Sequence, residues 1–235
     1  MASPRATGQQ QQPPLIDDPV REHQKAAAAR AAAALVEDGM RLGLGSGSTF
    51  AHLLPAIAER GYAGLRCVAT SPATAAAAGA LGLVVQSLDE VGELDMAIDG
   101  ADQIDEQGWL VKGGGGAHTR EKIVAASARR FVVIASAEKA VASIEPPIPL
   151  ELLRFGVGRT LLSLTPARLR GVDDSPDGGL IADYFGPVGD PRELARRLSA
   201  TPGVVEHGLF APEMVSTILI ARDSGVELRE GAKPS

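Results

Sequence analysis

The stretch Met40–Phe50 reads MRLGLGSGSTF, and its interpretation decides the fold. A short apolar run meets glycines at every second position, and hydroxyl residues then lead into AHLLPAIAER, which closes at Gly61. Apolar runs this short are strands, glycine interrupts them, and a longer apolar-periodic segment is a helix, so the stretch predicts strand, glycine turn and helix. The alternation continues outward on both sides. Upstream, Val20–Asp38 (VREHQKAAAARAAAALVED) is Ala-dense with Gly39 where a helix C-cap belongs, which predicts another helix. Downstream, LRCVAT, GLVVQS, LDMAID, WLVK and FVVIAS are short apolar segments separated by PATAAAAGAL and HTREKIVAASARR. Strands alternating with helices build a mostly parallel sheet flanked by helices, so an α/β, Rossmann-like architecture is expected.

At Glu145–Pro149 the sequence EPPIP breaks this rhythm, because successive prolines forbid helix and disfavour a central strand. Beyond it, LELLRF, VGRTLLSLTPARLR, LIADYF, PRELARRLS and GVVEHGLF read as strand, helix, strand, helix and strand, a smaller α+β (ferredoxin-like) domain. MVSTILIA then returns as a strand to the first sheet. The expected organisation is a disordered leader over 1–19, a Rossmann-like catalytic domain over 20–145 that is rejoined by about 213–235, and a small domain over 146–212. The leader reading rests on the Gln9–Gln12 run followed by Pro13 and Pro14, with no apolar signal segment.

Composition narrows the partners. With 23 Lys and Arg against 29 Asp and Glu, the 235-residue chain carries a net charge of −6, which argues against coating a phosphate backbone. Aromatic residues make up 3%, too few for a base-stacking platform, so no nucleic acid partner is expected. No stretch approaches the ~18 to 20 apolar residues of a membrane helix, so no membrane partner is expected either. Cys67 is the single cysteine; it allows no internal disulfide and no zinc pattern, which predicts a reducing, cytoplasmic setting and no metal site. Lying inside a predicted strand, Cys67 is expected to be a buried small hydrophobe.

Three loops carry the chemistry. In the first, Gly43–Thr49, glycines admit an anion to the backbone, a helix N-terminus supplies unpaired N–H groups, and Ser46, Ser48 and Thr49 add hydroxyl donors. It is not a dinucleotide fingerprint, since Ser48 stands where the third glycine belongs and the next strand ends without an acid at Val68–Ser71; nor is it a P-loop, for want of lysine. The second is Asp99-Gly100-Ala101-Asp102, with two carboxylates where the apolar run DMAI ends. The third is Lys112 followed by four glycines, Gly113–Gly116, and then His118-Thr119-Arg120-Glu121-Lys122. Glycine costs roughly 0.5–1 kcal/mol relative to Ala in regular structure, so four in succession point to backbone access for a ligand. Lys112 places a cation at the mouth of that loop. Glu121 falls in the first turn of a helix, where the dipole favours the ionised form by about 0.3–1 kcal/mol, as a general base requires. Each loop alone also reads as an ordinary turn, but ligands bind beyond the carboxyl ends of strands in open parallel sheets, and all three loops open on that edge.

Together these motifs resemble the type A ribose-5-phosphate isomerases. GLGSGST is similar to that family's GxGTGST loop, IDGADQID to its DGADE loop and VKGGGGAHTREKI to its KGGGAAxxREK segment, in the same order and spacing. The resemblance runs from about Lys25 to Leu228. It implies interconversion of ribose 5-phosphate and ribulose 5-phosphate through a cis-enediolate, as in the non-oxidative pentose phosphate pathway, without metal or organic cofactor, by a homodimer or homotetramer. It implies that Glu121 moves the proton between C2 and C1, that Lys112 stabilises the oxyanion, and that Asp99 and Asp102 assist ring opening and hold sugar hydroxyls. Ser46, Gly47, Ser48, Thr49, Gly100, Ala101, Gly113, Gly114, Gly115 and Lys139 are implied substrate contacts, with Lys139 on the helix after FVVIAS. Lys25 is implied to reach the phosphate from the first helix. Three departures stand out: Ser46 replaces the commoner Thr, Gln103 replaces an acid, and His118 replaces an apolar residue and is read as an alteration at the pocket rim. His207 is read as structural. Competing readings are a non-catalytic sugar-phosphate sensor, which has no use for Asp99, Asp102, Lys112 and Glu121 together, and a coenzyme A transferase-like enzyme with a glutamate nucleophile.

Overall fold

The computed structural model describes residues 18–233. The leader expected over 1–19 lies outside the described residues as far as position 17. Its last two residues belong to a helix: Asp18 caps α1 (Pro19–Ala33), its carboxylate accepting the Val20 N–H at 3.0 Å, with Pro19 at the first helical position. α1 stops short of Asp38 because the chain turns there to enter the sheet.

The predicted βα alternation then unfolds as β1 (Arg41–Leu44), α2 (Ser48–Ala51), α3 (Leu53–Ala58), β2 (Arg66–Ala69), α4 (Pro72–Ala80), β3 (Val84–Val85), α5 (Leu88–Val91) and β4 (Leu94–Gly100). The single helix expected over AHLLPAIAER is divided at His52, since Pro55 has no N–H to give to the carbonyl of Ala51. Two short strands, β5 (Gln103–Ile104) and β6 (Leu110–Val111), precede α6 (His118–Ser127) and β7 (Ala128–Ser136). The segment Ala128–Arg130, expected at the helix end, instead begins β7, where its register with Leu94 and Met96 of β4 claims it for the sheet.

After the small unit the chain returns as β13 (Thr217–Arg222) and β14 (Gly225–Glu230). The main sheet runs β14-β13-β7-β4-β1-β2-β3, parallel except for the β13–β14 edge hairpin. Its order reverses between β1 and β4, so the loops leaving those two strands diverge and open a crevice between them, the switch point where α/β sheets bind ligands. Both faces are covered. Leu42, Leu44, Met96, Ile98, Val132 and Ile134 pack towards Ala28, Ala29, Ala32 and Ala33 of α1, whose small side chains let the helix lie close. The alternate residues Ala97, Phe131 and Val133 pack with Val124 and Ala125 of α6.

The small unit is β8 (Ile148–Leu152), α7 (Val157–Ser163), β9 (Ala167–Leu169), β10 (Leu180–Tyr184), α8 (Pro191–Ser199) and β11 (Val204–His207). Its antiparallel order β11-β8-β10-β9 is the ferredoxin-like arrangement. The helix expected over VGRTLLSLTPARLR is corrected: it ends at Ser163, and Ala167–Leu169 is an edge strand. Pro166 cannot donate into a helix and drives Thr165 out of the helical region, so the unit has a fourth strand. GVVEHGLF likewise splits into β11 and β12 (Leu209–Phe210), and β12 joins β6 and β5 in a three-stranded sheet.

Candidate active site

The crevice is built from the ends of β1, β4 and β6. At the end of β1, Gly45 donates its N–H to Ile98 O at 3.0 Å, prolonging the strand by one residue. A Cβ at Gly45 would stand 2.0 Å from Asp99 Oδ1, so only glycine lets the two strand ends approach. Ser46 N–H and Gly100 N–H both donate to Asp99 Oδ1, at 3.0 and 2.7 Å. Thr74 Oγ1 ties down the Gly45 carbonyl from α4 at 2.9 Å.

Lys112 follows β6 and is 3% exposed. Its ammonium donates to Gly100 O at 2.6 Å, lies 2.8 Å from Asp99 Oδ2 and stands 3.2 Å from Glu121 Oε2. Glu121, in the first turn of α6, is 5% exposed, and its Oε1 accepts Ser46 Oγ–H at 2.5 Å. The Lys112–Glu121 approach lacks hydrogen-bond geometry, so the buried Oε2 has no donor of its own. Two buried carboxylates thus share one buried ammonium. Burial first, and then the Glu121 charge, push Asp99 from its ordinary 3.8 up to about 7, against Lys112 and the Ser46 N–H. Burial works against the charge on Lys112, but Asp99 and Glu121 outweigh it and hold the ammonium above the usual lysine range.

Above this cluster opens a cleft of about 450 Å³ lined by Ser46–Thr49, Gly100–Asp102, Lys112–Gly115, Glu121 and Lys139. Every one of these was singled out in the sequence. Asp99, by contrast, is off the lining: it is 3% exposed, because the Gly45–Ser46 backbone folds over its carboxylate. It touches Lys112, not the open cleft. Asp102 does line the cleft, with one oxygen held by Gly114 N–H at 2.8 Å. Lys139 sits on a single 3-10 turn (Ala137–Lys139), not on the amphipathic helix expected there; the chain leaves that turn when Val141 N–H pairs with Ile104 O at 2.8 Å.

Other expectations need correction. Lys25 pairs with Glu22 at 2.6 Å and does not line the cleft. His118 is fully buried, not at the rim: its ring lies under Gly113, where a Cβ would come within 2.7 Å of Nδ1. Burial lowers its pKa, and its Nε2 faces Glu206 O at 3.4 Å. Gln103 exchanges two hydrogen bonds with the backbone of Glu145, at 2.8 and 2.9 Å, a role its amide fills and a carboxylate could fill only half of. His207 is buried and accepts Leu209 N–H at Nδ1, as a structural histidine would.

Sequence reading missed Gln24. Buried on α1, it accepts the Ala137 N–H at 3.1 Å and donates to Asp223 at 2.8 Å, holding the turn that presents Lys139. Its partner lies 113 residues away, so no local pattern marks it. Arg170 of the small unit was missed as well; it reaches the carbonyls of Gly113 and Gly114. Among the described residues no group of three or more His, Cys, Asp or Glu side chains is placed to share a metal ion, and no helix is long and apolar enough to cross a membrane.

Fold and site together define an α/β protein with a carboxylate and an ammonium facing one small, glycine-walled cleft at the switch point of the sheet. Residues 66–225 match the family described as Ribose 5-phosphate isomerase A (phosphoriboisomerase A). Ribose-5-phosphate isomerase A of Bradyrhizobium diazoefficiens is 41% identical over 222 residues, covering 85% of this chain and 92% of the relative. The crystal structure of ribose 5 phosphate isomerase A from Neisseria gonorrhoeae superposes with a TM-score of 0.86 at 29% identity, covering 89% of this chain and 97% of that one. A D-ribose-5-phosphate isomerase in complex with phospho-erythronic acid superposes at 0.84 with 32% identity, covering 89% and 99%. The chain belongs to the ribose 5-phosphate isomerase A family.

Proposed function

We infer that this chain interconverts ribose 5-phosphate and ribulose 5-phosphate by general acid–base catalysis. The observation that carries the reading is the pairing of Glu121 Oε2, free of hydrogen bonds, with the Lys112 ammonium 3.2 Å away on the wall of one cleft. Isomerisation needs a base at one carbon and positive charge at the neighbouring oxygens.

Glu121 takes the proton from C2 of the open-chain aldose, and the electron pair forms the C1–C2 double bond. The C1 oxygen takes up the negative charge. Lys112 has two of its donors engaged by Gly100 O and Asp99, leaving the third for that oxygen. Return of the proton from Glu121 to C1, with transfer of the O2 proton to O1, completes the ketose with no atom gained or lost. Asp99 acts through Lys112, fixing the ammonium from below. Asp102, with one oxygen held by Gly114, offers the other to the sugar hydroxyls for ring opening. Gly47–Thr49 and Lys139 receive the phosphate end, where hydroxyls, the N-terminus of α2 and a cation converge.

Purified protein mixed with ribose 5-phosphate in the presence of a chelator is expected to form ketose, because Lys112 supplies the charge a metal would otherwise bring. Folded protein that forms none would sink the assignment. Self-association is also part of this reading: the small unit leaves Phe155 95% and Leu162 68% exposed, apolar surface that a second copy would cover. Light scattering should give a mass above the 24.3 kDa of one chain; a monomer at every concentration would remove this part. A cytoplasmic setting suits Cys67, whose thiol burial pushes up to about 11 and so keeps protonated.

A further inference from the structure

We propose that Arg170, carried by the small unit, is a positioning residue for this reaction: with Asp183 it sets the orientation of the Gly113–Gly115 peptides that line the cleft. The proposal rests on the isomerase reading for its kinetic consequence, while the loop geometry it invokes can be read independently.

Arg170 follows β9, and its backbone N–H pairs with Ile181 O at 2.9 Å, so its stem belongs to the β9–β10 hairpin. Its guanidinium grips Asp183 with both arms, Nε to Oδ2 and Nη2 to Oδ1, each at 2.6 Å. The remaining nitrogen, Nη1, donates to Gly113 O at 2.9 Å and to Gly114 O at 3.0 Å. The pair is largely withdrawn from water, at 17% and 13% exposure. One planar group therefore ties two consecutive carbonyls of the glycine loop to a strand of the other sheet.

In a trans peptide the carbonyl and the following N–H point to opposite sides. Holding Gly113 O on the small-unit side turns Gly114 N–H the other way, and there Asp102 accepts it at 2.8 Å. Holding Gly114 O turns Gly115 N–H the same way, and Gly115 lines the cleft. The clamp thus fixes Asp102 through one peptide and aims a backbone donor through the next. Four glycines have no side chains with which to hold such an arrangement, and their unconstrained backbone is the most disordered a chain can have. Apart from Gly116 N–H on Gly113 O at 3.0 Å, the loop's orientation comes from outside it. A lysine could not replace this contact, since a point charge cannot engage a carboxylate in two places and two carbonyls at once.

The test uses the full-length protein with Arg170→Met, Arg170→Lys and Asp183→Asn, each checked for a cooperative melt above the assay temperature. Arg170→Met is expected to lower kcat/KM for ribose 5-phosphate by about 10²-fold, the scale of a small misplacement of a positioned group. Arg170→Lys should recover little of it, and Asp183→Asn should fall between. Hydrogen exchange in the unliganded protein should show loss of protection at Gly114 and Gly116 in Arg170→Met. Full activity in Arg170→Lys would mean that charge alone matters and would overturn the clamp, as would unchanged exchange of the loop in Arg170→Met. Wild-type protein without isomerase activity would fail the functional reading instead, and the exchange measurement would still decide the geometry.

Discussion

Glu121→Gln is expected to lower kcat for ribose 5-phosphate by about 10²- to 10⁴-fold, the range for loss of a positioned general base. The amide is nearly the same size, so it can still accept Ser46 Oγ–H and keep the first turn of α6 in place. What it cannot do is take a proton from carbon. KM should change little, because Glu121 occupies one wall of a cleft whose phosphate end is built from other residues. Near-normal turnover in a folded Glu121→Gln protein would take the base role away from this residue.

Lys112→Met should cost both activity and stability. Loss of a preorganised donor to a developing oxyanion lowers kcat by about 10²- to 10³-fold. The structural cost comes from the partners left behind: the buried Asp99 and Glu121 would face each other without their shared cation, and removing one member of a buried ion pair costs about 3–5 kcal/mol. That deficit has a pH signature. Burial, and after it Glu121, already raise Asp99 to about 7, well above the 3.8 of an unfolded aspartate. A carboxyl with a raised folded pKa favours the folded state at low pH and loses that contribution as pH rises through the folded value. Without Lys112 the value rises further, so the stability gap to the parent should be smaller below pH 7 than above it. Combining Lys112→Met with Glu121→Gln should restore much of the stability and none of the activity. Parental kcat/KM in Lys112→Met would refute the oxyanion role, and a gap that widens on acidification would refute the charge account.

The strands and the site loops were legible because their causes are local. The glycines of Gly43–Thr49 stand between a strand and a helix, Glu121 sits one turn into a helix that begins at His118, and each apolar segment of the main sheet is short and bounded by turn residues. The edge strand Ala167–Leu169 was misread as helix because Arg and Leu are good helix formers, and only Pro166 argued otherwise. His118 was placed at a rim because a histidine beside a glycine loop carries no mark of burial; the slot beneath Gly113 exists only once the small unit is folded against α6. Asp99 and Asp102 are two residues of one turn, yet one lies under the backbone and the other faces the cleft. Spacing could not separate them, since what separates them is the arrival of Gly45 and Ser46 from another strand.

Periodicity and turn chemistry, which act over a few residues, already dictated a parallel sheet with three glycine- or acid-bearing loops on one edge, and with it the chemistry those loops could hold. Gln24 under the Lys139 turn, Arg170 on the glycine carbonyls and the burial of Asp99 were decided by contacts between segments 53 to 113 residues apart. Such contacts arise from how sheets and helices stack, and a side chain's neighbours across that stack leave no trace in the residues beside it in the chain.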